Sequence, residues 1–174
     1  MKLSLVVPCY NEEKNVSLFY NAVKNDFSSA DFDYEIVFVN DGSKDGTFKE
    51  LQKLCEGDIP VKIVNFSRNF GKESAMYAGL KESEGDYVTI IDADLQQRPS
   101  IALDMVNMLD NEPDYDCVAA YQEERKESKL LVFFNNSFYK LINKFSDTEF
   151  IQGASDFRTF RKSVRDSILD LHEY

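Results

Sequence analysis

Two carboxylates, Asp92 and Asp94, flank a small residue directly after the apolar run Tyr87-Val-Thr-Ile-Ile91. If strand geometry continues past Ile91, alternation puts both side chains on one side. Like charges that close repel, and a hard divalent cation relieves the repulsion. Mg²⁺ or Mn²⁺ held there keeps open positions for pyrophosphate oxygens, and Gln96 can add a neutral oxygen ligand. On spacing alone, a solvated turn with two acids explains the pattern equally well. A position at a strand end favours a site.

Other polar clusters carry weaker signals. Asp41 lies in Asn40-Asp41-Gly42-Ser43, where Gly and Ser suit a sharp turn. Its carboxylate can accept from a base N–H or a ribose hydroxyl, although turn chemistry alone accounts for it. The segment Pro8 to Glu12, with Tyr10, can form the other wall of a base pocket, or be a loop with Asn11 as a helix cap. Arg68 and Lys72 bracket Asn69-Phe70-Gly71 at a strand-to-helix junction, suited to a phosphate or to surface ion pairs. Asp156 can act as a general base or orient an acceptor, and Arg158 can hold a phosphate. Arg125, Lys126 and Lys129 form a locally basic loop that suits an anionic acceptor.

The elements that must position these groups alternate. Strands are expected at Leu3 to Val7, ended by Pro8, at Glu35 to Val39, at Val61 to Val64, at Tyr87 to Ile91 and at Cys117 to Ala120. Helices are expected between them. One carries Val16, Phe19, Tyr20, Val23 and Phe27 on a single face, and the others span Thr47 to Leu54, Lys72 to Ser83 and Ser100 to Leu109, the last with Ser100 as a possible N-cap. This order argues for a mostly parallel α/β sheet with helices on both faces. Ligands of such sheets bind outside the carboxyl ends of the strands, where four of the polar clusters must converge. Beyond Tyr121 the expectations are an exposed charged loop at 122–129, an apolar helix at 130–145, a loop or short strand at 151–160, and a helix from Lys162 to Leu171.

Length and composition fit one globular domain, 1–174, and the final helix has no clear stop signal, as in the N-terminal portion of a longer protein. The net charge of −11 excludes the long basic face that nucleic acid requires. It also means that a bound pyrophosphate needs a cation, local Lys or Arg, or helix N-termini. Cys9, Cys55 and Cys117 follow no zinc pattern and read as free thiols. The longest apolar run, Leu130 to Phe134, is too short to span a bilayer. The 130–145 helix, with Lys140 and Lys144, can be buried against the sheet or touch a membrane surface.

Six segments occur in an order that resembles the family-two inverting glycosyltransferases of the GT-A fold. They are Leu5-Val-Val-Pro-Cys-Tyr-Asn-Glu12, Glu35-Ile-Val-Phe-Val-Asn-Asp-Gly-Ser43, Ser67-Arg-Asn-Phe-Gly-Lys72 with Ala78-Gly79-Leu80, Ile91-Asp-Ala-Asp-Leu-Gln96, Phe138-Tyr-Lys-Leu-Ile-Asn143 and Gly153-Ala-Ser-Asp-Phe-Arg158. The similar branch includes dolichol-phosphate mannosyltransferase and the bacterial polyprenyl-phosphate glucosyltransferases. The resemblance implies that Pro8, Tyr10, Glu12 and Asp41 line a nucleotide pocket, with Arg68 and Lys72 near it. It implies that Asp92, Asp94 and Gln96 hold Mg²⁺ or Mn²⁺ and the diphosphate, with Asp92 also on the nucleotide and Asp94 at the reacting centre. Asp156 would be catalytic at the acceptor side, with Arg125 and Arg158 near an acceptor phosphate. Two positions depart from the family: Gln97-Arg98-Pro99 replaces the usual Asp-Pro-Pro, and Ser155 stands where Gly is usual. Many relatives in this branch continue into membrane helices, so the resemblance also implies a place at the cytoplasmic face of a membrane.

The implied reaction moves a hexose from a UDP-glucose or GDP-mannose type donor to a polyprenyl or dolichyl phosphate, with inversion. A polysaccharide or surface-glycan acceptor is the alternative partner. A nucleotidyltransferase would open with a Gly-rich, basic loop after the first strand, and Pro8-Cys-Tyr-Asn-Glu12 has neither. A non-catalytic nucleotide-sugar-binding domain is the remaining class.

Overall fold

The computed structural model describes residues 1–121 and 154–171, with the side chains of Ala154 and Ser155 left aside. The expected loop at 122–129, the helix at 130–145 and Arg125 lie outside the described residues. The chain divides into two compact units, Met1–Val118 with Phe157–Tyr174, and Ala119–Asp156. The described helices and the core residues they cover belong to the first.

The elements run β1 (Lys2–Cys9), α1 (Val16–Asp26), β2 (Asp33–Asn40), α2 (Thr47–Leu54), β3 (Val61–Asn65), α3 (Lys72–Glu82), β4 (Tyr87–Ile90), α4 (Ser100–Asn111), β5 (Cys117–Tyr121), β6 (Ala154–Arg161) and α5 (Lys162–Asp170). The sheet order is β3-β2-β1-β4-β6-β5. The first four strands are mutually parallel, and β6 runs antiparallel to β4 with Ile90 opposite Arg158. The stretch expected as a loop or short strand at 151–160 is therefore, from Ala154, a full strand. Its buried Phe157, Thr159 and Phe160 interrupt strict alternation, which hides the strand period.

Both faces are covered, and the residues alternate to match. Val6, Val37, Val88, Ile90 and Phe160 pack with Leu80 and Met76 of α3 and with Val164, Ile168 and Leu169 of α5. On the other face Phe19 of α1 meets Phe38 edge-on at 6.1 Å. There Thr89 and Thr159 share a buried hydrogen bond of 2.7 Å, and the Thr159 hydroxyl reaches Met105 of α4. Gly79 lets α3 approach the sheet closely, because a Cβ there would lie 2.3 Å from Val6 Cγ1.

Three local expectations change. Strand β1 runs through Pro8 to Cys9, with Pro8 opposite Val39. Pairing with β4 ends near Val6, whose carbonyl accepts from Ile91. By alternation, Pro8 faces that released side, so its missing N–H breaks no ladder bond. Asn11 does not cap α1. It adopts φ 58° and accepts from the Lys44 N–H at 2.8 Å, while Asn15 occupies the cap position. Ser100 is the first residue of α4 and Pro99 precedes it as cap; the Ser100 N–H goes to Asp26 Oδ2 at 3.0 Å.

At the amino ends of the strands lies a buried carboxylate. Glu35 is 1% exposed and accepts from Ser4 Oγ at 2.7 Å and the Glu84 N–H at 2.9 Å. Lys2 and Lys62 stand 2.8 and 3.3 Å from Glu35 Oε2, and both also pair with Glu84. Burial pushes the Glu35 carboxyl up, but the Lys2, Ser4 and Glu84 hydrogen bonds and the Lys62 charge hold it below its ordinary value. Bonds from Lys62 and Lys2 bring Glu84 to about 2. Both shifts are downward, so their stabilisation is complete above the ordinary glutamate value of 4.5 and is lost as pH falls below it, for Glu84 through about 2. Glu35→Ala takes the buried acceptor from Ser4 Oγ and the Glu84 N–H, leaves Lys2 and Lys62 paired with Glu84 alone, and is expected to cost about 1–3 kcal/mol at neutral pH. Thermal unfolding across this range should show the gap between parent and variant closing as pH falls below 4.5.

Candidate active site

The strand order places the reversal between β1 and β4: the chain steps outward from β1 to β2 and β3, then returns to β4 on β1's other flank. The loops after β1 and β4, neighbouring parallel strands, both emerge at the carboxyl edge of the sheet beside this point, where ligands of open α/β sheets bind. A cavity of about 470 Å³ lies there, lined by Pro8, Cys9, Tyr10, Glu12, Asp41, Asn69, Gly71, Lys72, Ala75, Asp92, Ala93 and Asp94. That volume lies within the usual range for small-ligand sites.

Each wall is fixed by side chains that accept from a neighbouring loop's backbone. After β1, the Asn11 N–H donates to Ser43 Oγ at 2.9 Å and the Glu12 N–H to Thr47 Oγ1 at 2.8 Å. Asn15 Nδ2 holds Glu12 Oε2 at 2.6 Å. After β2, the buried Asp41 takes the Phe70 N–H on Oδ1 at 2.7 Å and the Gly71 N–H on Oδ2 at 3.0 Å. Gly42, at φ +63°, lies so close to this loop that a Cβ would be 2.2 Å from the Arg68 carbonyl carbon. The first three loops are thus stitched together in sequence.

Strand β4 ends at Ile90, so Asp92-Ala93-Asp94 is a turn and not the extended segment that alternation assumed. Both carboxylates still line the cavity. Lys72 Nζ sits 2.8 and 3.0 Å from the two oxygens of Asp92. Asp94 Oδ1 accepts from the Gln96 N–H at 3.0 Å across Leu95, whose φ is 60°. These are hard oxygen donors, and Mg²⁺ commonly binds through one or two carboxylates plus substrate phosphates. No group of three or more His, Cys, Asp or Glu side chains clusters among the described residues, so a cation here draws its remaining ligands from elsewhere.

Of the residues singled out in the sequence, Pro8, Tyr10, Glu12, Asp41, Lys72, Asp92 and Asp94 meet in the cavity. Gln96 is exposed, with its N–H on Asp94. Arg68 is exposed and stacks on Phe70, 4.7 Å from the ring centre. Arg158 lies on β6 opposite Ile90, and the exposed Asp156 belongs to the other unit. Asn69 and Ala75 also line the cavity, and neither carries a charge that marks it in the sequence. Ala75 lies three positions after Lys72 on α3, so its small size at helical spacing was the available signal. Cys9 forms part of the floor, and burial, with the Glu12 and Asp92 charges, pushes its thiol well above the ordinary range.

Asp41 is expected to hold the loop after β3. Asp41→Ala leaves two backbone donors without their acceptor, at a cost of about 1–3 kcal/mol. Hydrogen exchange should accelerate at Phe70 and Gly71 while amides in the middle of β1 and β2 stay protected.

Known proteins of similar sequence carry transferase descriptions. The bactoprenol glucosyl transferase of Shigella phage SfV is 37% identical over 99% of this chain and 56% of its own length. The uncharacterized glycosyltransferase sll0501 of Synechocystis is 37% identical over 99% of this chain and 54% of its own. The chain spans about half the length of the curated relatives it matches. Among solved structures, the mannosyltransferase PcManGT of Pyrobaculum calidifontis, in complex with GDP-Man and Mn²⁺, shares the fold at a TM-score of 0.67. It is 22% identical over 95% of this chain and 46% of its own. The family model described as glycosyl transferase family 2 matches residues 4–169, so with its GT-A sheet and strand-end cavity this chain belongs to that family.

Proposed function

We propose that this chain is the nucleotide-sugar-binding catalytic part of a polyprenyl-phosphate hexosyltransferase. The observation that carries the reading is the convergence of Tyr10, Glu12, Asp41, Lys72, Asp92 and Asp94 on one cavity at the strand-order reversal. The relatives named bactoprenol glucosyl transferase support a polyprenyl phosphate as acceptor. They equally support work at a membrane surface. No helix of the described residues is long and apolar enough to cross one.

In this reading Pro8, Tyr10 and Glu12 enclose the base. Asp41, whose oxygens each keep a further acceptor site beside the backbone N–H they hold, takes a base N–H or ribose hydroxyl. Asp92 and Asp94, with Gln96, hold Mg²⁺ or Mn²⁺, which when bound neutralises charge on the departing diphosphate. Lys72, and Arg68 at the rim, add positive charge on the nucleotide side. Asp156, Arg125 and Arg158 are assigned to the acceptor on the resemblance alone. A phosphate oxygen is already nucleophilic at neutral pH. The protein therefore mainly aligns an in-line attack on the anomeric carbon, and Asp156 orients more than it deprotonates.

The full chain, incubated with labelled UDP-glucose or GDP-mannose, Mn²⁺ and undecaprenyl phosphate, should move label into the organic phase. Asp92→Ala and Asp94→Ala should each lower that transfer by on the order of 10²–10³-fold. Label that stays aqueous with every donor would sink the lipid-phosphate reading.

A further inference from the structure

The ammonium of Lys72 spans both oxygens of Asp92, at 2.8 and 3.0 Å. A cation bound to Asp92 needs at least one of those oxygens. Resting on the reading of Asp92 and Asp94 as metal ligands, we propose that Lys72 is an internal counter-cation that competes with the divalent metal for Asp92. The donor's diphosphate draws it away, so nucleotide and metal each help the other to bind.

Three observations carry this. First, the cavity wall sets four carboxylates, Glu12, Asp41, Asp92 and Asp94, against the Lys72 ammonium. Asp41 is satisfied by two backbone N–H groups and Glu12 is held by Asn15, whereas Asp92 takes the ammonium. Second, the pair is open to exchange. Lys72 and Asp92 are 37% and 35% exposed, and ion pairs so placed are weak. Third, a lysine is a compact charge on a flexible stem, able to change partner without moving its backbone. Lys72 starts α3, and Gly71 beside it has its N–H fixed on Asp41, so the stem is anchored at its base. A diphosphate entering the cavity offers that tip more negative charge than one carboxylate does. Linkage then requires that whatever loosens Lys72 from Asp92 also raises metal affinity, and by the same factor in reverse.

The test is calorimetric titration of the full chain with Mn²⁺, alone and with saturating UDP or GDP. Lys72→Met is expected to bind Mn²⁺ alone roughly three- to tenfold more tightly than the parent. It should bind the nucleoside diphosphate without metal more weakly, so the gain in Mn²⁺ affinity from nucleotide shrinks. Lys72→Gln, which keeps length and polarity, should behave the same way and stands in if the Met variant unfolds. Lys72→Arg should keep the coupling. Arg68→Met removes an equal charge from the neighbouring loop and should change Mn²⁺ affinity by less than about twofold if solvent screens it. Unchanged or weaker Mn²⁺ binding in both neutral Lys72 variants, or an equal gain in Arg68→Met, overturns the competition. Mn²⁺ binding that vanishes in Asp94→Asn but is unmoved by Lys72→Gln leaves the metal reading intact and removes only this inference. No Mn²⁺ binding by the parent even with nucleotide overturns both.

Discussion

A parallel sheet delivers every strand-end loop to one edge, and that constraint governs the rest of this molecule. Because the chain turns back from β3 to β4 across β1, the loops after β1 and β4 emerge side by side at that edge and border a cavity that no strand fills. The helices must then cover both faces and not the edge. Val6, Val37 and Phe160 serve one face and Phe38 the other, so side-chain alternation binds the two layers to the same sheet that carries the cavity. Even the close approach of α3 at Gly79 has this consequence, since α3 begins at Lys72 on the cavity wall.

Charge separates the two ends of the strands. At the amino ends, Glu35 and Glu84 share Lys2 and Lys62, and Ser4 with a backbone N–H completes Glu35. Two carboxylates and two ammonium groups balance, and the cluster is closed. At the carboxyl ends, Glu12, Asp41, Asp92 and Asp94 line a cavity with Lys72. Charge is left over there, and a protein of net charge −11 has little diffuse positive potential with which to offset it. An excess of carboxylate beside open volume is what a site for a cation and an anionic ligand requires, whereas a charge-balanced cluster around the buried Glu35 is structural.

The sequence carried the alternation of elements plainly. Thr47–Leu54 matches its expected span, and the buried stripe Val16, Phe19, Tyr20 and Val23 emerges on α1. Its limits lay where a local rule met a tertiary one. Pro8 reads as a strand stop, yet β1 passes through it because the neighbouring ladder has already ended. Asn11 reads as a cap, yet it serves the next loop. Asp41 reads as turn chemistry or as a ligand contact, and sequence alone cannot reveal that Phe70 and Gly71, some thirty residues on, present their N–H groups to it. The cavity's acids were legible because strand ends mark them. Its small residues were fainter: Ala75 shows only as a small side chain at helical spacing from Lys72, and Ala93 only as the gap between two acids.

Backbone conformation ties these loops to a common purpose. The described residues hold four left-handed positions: Asn11, Gly42, Gly71 and Leu95. They fall one apiece in the loops after β1, β2, β3 and β4, and nowhere else among those residues. Glycine takes this conformation without penalty and asparagine nearly so, but leucine costs about 1–2 kcal/mol. The Asp94 carboxylate accepting from Gln96 closes a tight turn over Leu95 and offsets part of that cost. Strain of this kind persists only where the surroundings over-determine it, and it concentrates at ligand clamps. Here the strained residue adjoins the two acids that line the cavity. The turn aims Asp92 and Asp94 into one volume after the strand has ended, a task that continued strand alternation would otherwise have had to perform.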